Sequence, residues 1–88
     1  MERVKVWKPS ESEIKEAKEW PVWQKGESEF DWFYDEDERF YMVEGEVEVE
    51  LDGGGKVKIS AGDMAWFKSG TGCRWKILKK VKKHYRIG

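Results

Sequence analysis

One cysteine and one histidine are the only thiol and the only imidazole in this 88-residue chain. A lone cysteine excludes an internal disulfide framework and a cysteine-rich zinc site. No apolar run comes near the roughly 18 residues that a membrane-crossing helix needs. Nor does a basic start lead into a hydrophobic stretch, so no secretory signal is expected and the cytoplasm is the expected compartment. Internal repeats, linkers and low-complexity segments are missing too, which leaves a single domain over residues 1–88.

Charge and aromatic rings fill the chain instead. Charged residues make up 40% of it and aromatics 15%, with six tryptophans. A core this small must be built largely from rings, each of which buries a large apolar area. Such a core leaves little stability to spare, so a homodimer is expected. The Glu- and Lys-rich balance resembles that of heat-stable proteins, or of a sequence engineered for stability.

The net charge of −1 conceals two opposed halves. Residues 1–52 hold 17 Asp and Glu against 7 Lys and Arg, a net −10, while residues 53–88 hold 1 against 10, a net +9. Strands from the two halves are expected to pair and neutralise each other. A basic stripe of Lys80, Lys82, His84 and Arg86 could bind phosphate or nucleic acid. Without exposed aromatics identifiable among those charges, a solvated outer strand facing the acidic half is the expectation, with no nucleic-acid and no membrane partner.

Val4 and Val6 alternate with charges in an opening strand. Ser10, with Glu13 three residues later, forms a capping box that starts a helix carrying Ile14 and Ala17 on one side. Glu11 reaches Lys15 at four-residue spacing, and Pro21 ends this single helix. After Trp20 the pattern changes to period two. Val47, Val49 and Leu51 face one way and Glu46, Glu48 and Glu50 the other; past a triglycine turn, Val57 and Ile59 oppose Lys56 and Lys58. This is a β-hairpin, and the expected register sets Glu50 across from Lys58 with Val49 and Ile59 behind. Further short strands are expected at residues 65–67, 73–78 and 81–87. Many short strands at regular spacing imply an all-β barrel or sandwich.

Two motifs sharpen this. Glu38 stands seven positions before Gly45, with Trp32 and Tyr34 ahead of it; Gly62-Asp63 is followed by Lys68-Ser69-Gly70 and then Cys73. Over residues 28–78 the chain resembles the cupins, whose first motif has two His one residue apart, then a Glu and a later Gly. Their second motif has Gly-Asp, a Pro-x-Gly turn and a His. The short start around Trp20-Pro21-Val22-Trp23 resembles one branch, the small single-domain cupins related to ureidoglycine aminohydrolase and the ethanolamine-utilisation cupin. The resemblance implies an all-β jelly-roll barrel with one short N-terminal helix. It also places Trp32 and Tyr34 at the two His positions, Glu38 and Cys73 at the other two family ligand positions, Lys68 at the Pro and Ile77 at a downstream Asn. Trp cannot ligate and neutral Tyr ligates poorly, which leaves one carboxylate and one thiol where a site for zinc or a redox metal needs three or four donors. No tightly bound metal and no cofactor are expected.

Strand alternation around these motifs turns Trp32, Tyr34, Phe40, Met42, Cys73 and Trp75 inward. They line a pocket at the barrel mouth or fill a solid core. Glu38, desolvated among rings, is the candidate general acid or base, with Tyr34 assisting as hydrogen-bond donor. Cys73 has no base near it in sequence and is expected to be an inert thiol. The run Asp35-Glu36-Asp37 is expected to be a solvated loop. The expected function is small-molecule binding through Trp32, Tyr34, Glu38, Phe40, Cys73 and Trp75. The alternative is a catalytically empty dimeric barrel serving as a structural or interaction module, or as a scaffold.

Overall fold

The acidic and basic halves meet as neighbouring strands of one antiparallel sheet. The computed structural model describes residues 2–88. Its elements are β1 (Val4–Trp7), α1 (Glu11–Ala17), β2 (Val22–Lys25), β3 (Ser28–Phe33), β4 (Glu38–Leu51), β5 (Lys56–Ser60), β6 (Met64–Phe67) and β7 (Gly72–Ile87). The strand order is β1-β6-β4-β7-β2, with β3 also pairing β7 and β5 also pairing β4. The two long strands are therefore the spine. β7 carries β3 along its first half and β2 along its second. β4 carries β6 beside Glu38–Tyr41 and β5 beside Glu46–Glu50.

Opposed charges line the outer face of this spine. Glu46, Glu48 and Glu50 of β4 sit across from Lys79, Lys76 and Arg74 of β7. Lys58 Nζ reaches Glu46 at 2.7 Å, and Arg74 holds Glu29 and Asp31, each at 2.9 Å. Solvent screens exposed pairs of this kind, so they select the pairing more than they stabilise it.

The helix forms as its capping box requires. The Ser10 hydroxyl accepts from the Glu13 N–H at 3.2 Å, and the Glu13 carboxylate accepts from the Ser10 N–H at 2.9 Å. Ala17 is its fully buried residue. The turn that follows is pinned to β7, where the Tyr85 N–H donates to the Pro21 carbonyl and the His84 Nδ1 lies 2.9 Å from the Trp20 carbonyl. His84 is thus half-buried under the helix end rather than a member of a solvated stripe.

Two further expectations need correction. The hairpin pairs Glu48 with Lys58 and Glu50 with Lys56, two residues away from the expected register. The turn closes more tightly than the triglycine suggested, because the Leu51 N–H donates to the Gly55 carbonyl and all three glycines take positive φ. A shift of two keeps the faces, so Val47, Val49 and Ile59 are fully buried as anticipated. The expected strands at 73–78 and 81–87 are one continuous strand, β7, and the segments before and after Gly45 are likewise one strand, β4.

A bulge bends that strand. The β4–β7 register shifts between Met42 and Val47, around Gly45 at φ 104°. Before the bulge the even positions Glu38, Phe40 and Met42 point inward; after it the odd positions Val47 and Val49 do. An extra residue in one strand produces such a change of phase and curls the sheet. Phe40, Phe67, Trp75, Met42, Val47, Val49, Ile59, Ile77 and Val81 fill the enclosed interior.

Candidate functional site

Glu38 opens β4, at the end of the barrel where β3 hands over to Tyr34 and where β7 finishes. The register sets Glu38 beside Phe67 on one neighbour and Ile87 on the other. Tyr34 lies just beyond β3 and is tied to the next turn by its N–H donating to the Thr71 carbonyl and its carbonyl accepting from Gly70. Its ring stacks on Phe67 at 4.6 Å between centroids. These contacts bury Tyr34 to 2% exposure.

The partner of Glu38 is a residue that the sequence reading passed over. Lys83 of β7 donates from Nζ to Glu38 Oε2 at 2.9 Å, and both residues are only 6% exposed. The ammonium also lies over three rings, 4.2 Å from the centroid of Phe40, 4.8 Å from Trp75 and 4.9 Å from Trp23. Cation–π attraction to three faces and one carboxylate offsets part of the cost of desolvating the charge. Burial still pushes the Lys83 ammonium below the usual lysine range, with the charge and hydrogen bond of Glu38 acting in the opposite sense.

Above this pair is a cavity of about 330 Å³, walled by Trp23, Phe30, Trp32, Tyr34, Trp75 and Tyr85, with Ile87 at one side. Its volume lies at the lower end of the range of small-molecule sites, about 300–1,000 Å³. Trp75 joins the wall to the core, with Phe30 stacked on it at 6.0 Å and Trp23 edge-on at 6.0 Å. Trp32 is 48% exposed and forms the rim, its ring edge-on to Tyr34 at 6.4 Å.

Of the residues anticipated from sequence, Trp32, Tyr34, Glu38 and Trp75 meet around one cavity. Phe40 and Cys73 do not line it. Phe40 is fully buried beneath Lys83, and Cys73 points its thiol at the Trp32 carbonyl 3.5 Å away. Desolvation, with Asp52 adding to it, pushes the Cys73 thiol up to about 11, so it stays protonated and unreactive at neutral pH. Tyr34 is raised well above the usual tyrosine range by burial first and by the Glu38 charge second, so its hydroxyl stays a hydrogen-bond donor. Asp37, in the acidic loop, accepts from the Ser69 N–H at 2.8 Å, a structural role.

Among the described residues, two that line the cavity also carry fully buried polar atoms without a partner. The Tyr34 hydroxyl and the Trp75 indole nitrogen are buried without a hydrogen bond. Thr71 Oγ1 is a third orphan, outside the cavity wall.

A profile of the EutQ-like cupin domain matches residues 12–85. The chain is a EutQ-like cupin. Among solved structures it is similar to a DUF861 family protein from Thermotoga maritima, 46% identical with a TM-score of 0.93, covering 97% of this chain and 99% of that one. It is also similar to a DUF861 family protein of unknown function from Pseudomonas syringae, 25% identical with a TM-score of 0.69, over 76% of this chain and 29% of that one. The fold further resembles Clostridium difficile EutQ, 24% identical with a TM-score of 0.68, over 75% of this chain; the cupin spans about half of that protein. No curated protein matches it.

Does this cupin suit the metal that its fold family implies? The donor set does not. Trp32 offers no lone pair, the Tyr34 and Cys73 side chains are held protonated by burial, and Glu38 is already engaged by an ammonium. A divalent ion at Glu38 would also be repelled by Lys83. Among the described residues, no three His, Cys, Asp or Glu side chains group as a metal site needs. The cation beside Glu38 is a lysine of its own chain.

Proposed function

We propose that this cupin binds a small metabolite in the barrel mouth without a tightly held metal. The observation that carries this is the ring-walled cavity reaching down to the Glu38–Lys83 pair, where a solid core would leave no room. In any reaction that follows binding, Glu38 would move the proton and Tyr34 would donate a hydrogen bond, with Lys83 holding the Glu38 carboxylate in place through its 2.9 Å bond. Trp32 contributes a rim on which a planar ligand can stack.

The test is a thermal-shift screen against metals and small metabolites, since a ligand that binds only the folded state must raise the melting temperature. At least one metabolite should do so, and Trp32→Ala should weaken it by about tenfold, the loss of one stacking contact of about 1.4 kcal/mol. Because Trp32 is half exposed, the same variant should melt near the parent temperature. A screen in which no metabolite shifts the melt, or in which the shift is indifferent to Trp32, contradicts the reading.

A second reading has its own support. Trp32 and Phe33 are adjacent on β3 and are 48% and 57% exposed, and Val22 and Ile87 are also exposed. Large apolar side chains left exposed suit a dimeric interaction module, and sedimentation analysis measures that directly.

A further inference from the structure

Resting on the proposed binding site, we infer that its ligand is an uncharged aromatic molecule that donates an O–H or N–H hydrogen bond to Glu38 Oε1. The ion pair uses only one side of the carboxylate. Lys83 Nζ takes Oε2 at 2.9 Å, and Oε1 accepts no hydrogen bond among the described residues. Nor is Oε1 sealed off. The fully buried polar atoms without a partner are those of Tyr34, Thr71 and Trp75, and Oε1 is not one of them. An oxygen with no partner that is not fully buried is open, and Glu38 lines the cavity with 7% of its side chain exposed. The ring-walled cavity therefore holds an open acceptor at its floor.

Charge and wall chemistry narrow what suits that oxygen. A carboxylate oxygen only accepts, so the ligand atom facing it must donate. An anion, or a ligand that brings only a lone pair, meets like charge there. A cation would sit beside an ammonium that already lies 4.8 Å from the Trp75 ring and 4.9 Å from that of Trp23, two of the walls. Bringing a charge of either sign into this ring-lined space also costs its hydration. A neutral O–H or N–H avoids these penalties, and its bond to a carboxylate is of the stronger, charge-assisted kind. A flat hydrocarbon would stack equally well but would cover Oε1 without replacing the water it loses. The walls set the body of the ligand. Phe30 is stacked on Trp75 at 6.0 Å and Trp32 stands at the rim, faces that suit a flat ring.

Four probes built on one ring separate these cases: phenol, anisole, benzoate and benzylammonium, titrated by calorimetry at neutral pH into the parent protein and into Glu38→Gln. Phenol is expected to bind the parent tightest. Anisole, which has the same oxygen without the proton, should bind about tenfold more weakly, the loss of one hydrogen bond to a charged group. Glu38→Gln keeps a carbonyl for Lys83 and puts an amide N–H2 at the open position, so the preference for phenol over anisole should disappear. If that variant does not fold, the ranking of the four probes in the parent decides by itself. If benzoate or benzylammonium binds the parent more tightly than phenol, or if phenol and anisole bind it alike, the ligand class is wrong while the cavity remains a binding site. A phenol preference that survives Glu38→Gln removes Glu38 as the acceptor and overturns the inference in the same way. If none of the four binds, both the class and the binding site fall.

Discussion

Lys83→Met should cost the fold about 3–5 kcal/mol, because it strands a buried carboxylate whose ion-pair partner among the described residues is Lys83. Methionine keeps most of the lysine's length, so the cavity term is small and the loss reports the charge. Removing both charges, in Glu38→Leu with Lys83→Met, should recover most of the deficit, since an apolar pair of similar volume avoids desolvation altogether. Urea denaturation of the parent, the two single variants and the double variant gives the coupling energy directly. The Lys83→Met deficit should also shrink on acidification. A carboxylate left alone in an apolar site takes up a proton more readily in the folded than in the unfolded state, so that variant gains stability as pH falls. A Lys83→Met variant within about 1 kcal/mol of the parent would mean that the pair is solvated and that Glu38 is free for some other partner.

Gly45→Ala should be as damaging, for a reason that has nothing to do with charge. A Cβ at this position would stand 2.3 Å from the Lys80 carbonyl oxygen and 2.8 Å from the Val81 Cα, both backbone atoms that cannot swing away. The residue also sits at φ 104°, which side chains other than glycine's rarely adopt. Clash and dihedral strain together should cost about 3–5 kcal/mol or prevent folding. Gly53→Ala separates the two causes. Gly53 has φ 85° but nothing within 4 Å of the added carbon, so it should lose only about 1 kcal/mol. Equal losses at the two positions would show that crowding at the bulge is not what constrains Gly45. The consequence reaches the site, because this bulge lets Glu38, Phe40 and Met42 point inward on the same strand as Val47 and Val49.

The local rules of the sequence carried most of the architecture. The capping box, the alternation of valines with glutamates, and the triglycine turn each act over a few residues, and each appears in the structure. The spacing of Glu38, Gly45, Gly62-Asp63 and Cys73 carried the family. What those rules did not deliver was long-range. The hairpin slid by two residues because period-two patterning fixes the face of a strand and leaves even shifts open to the geometry of the turn. Lys83 was in plain view: it shares parity with Cys73, Trp75, Ile77 and Val81, all inward. A lysine in a run of lysines reads as solvent-facing, and only its alternation with Lys82 and His84 marked it as the inward one. Trp23 and Phe30 were hidden for a different reason. Their strands pair with β7 across wide gaps in sequence, and no local signal tells which residues of β2 and β3 close the mouth.

Lys83 and the chemistry of the family meet at one question, which is what cation Glu38 holds. The two answers exclude each other, because an ammonium 2.9 Å from the carboxylate leaves no room for a divalent ion on the same oxygen. Elemental analysis of the purified protein, expressed in medium supplemented with zinc, manganese and iron and washed without chelator, distinguishes them. Glu38 paired with Lys83 predicts far less than one metal ion per chain for every element. A stoichiometric transition metal, lost in Glu38→Gln, would contradict the account and make Glu38 a ligand.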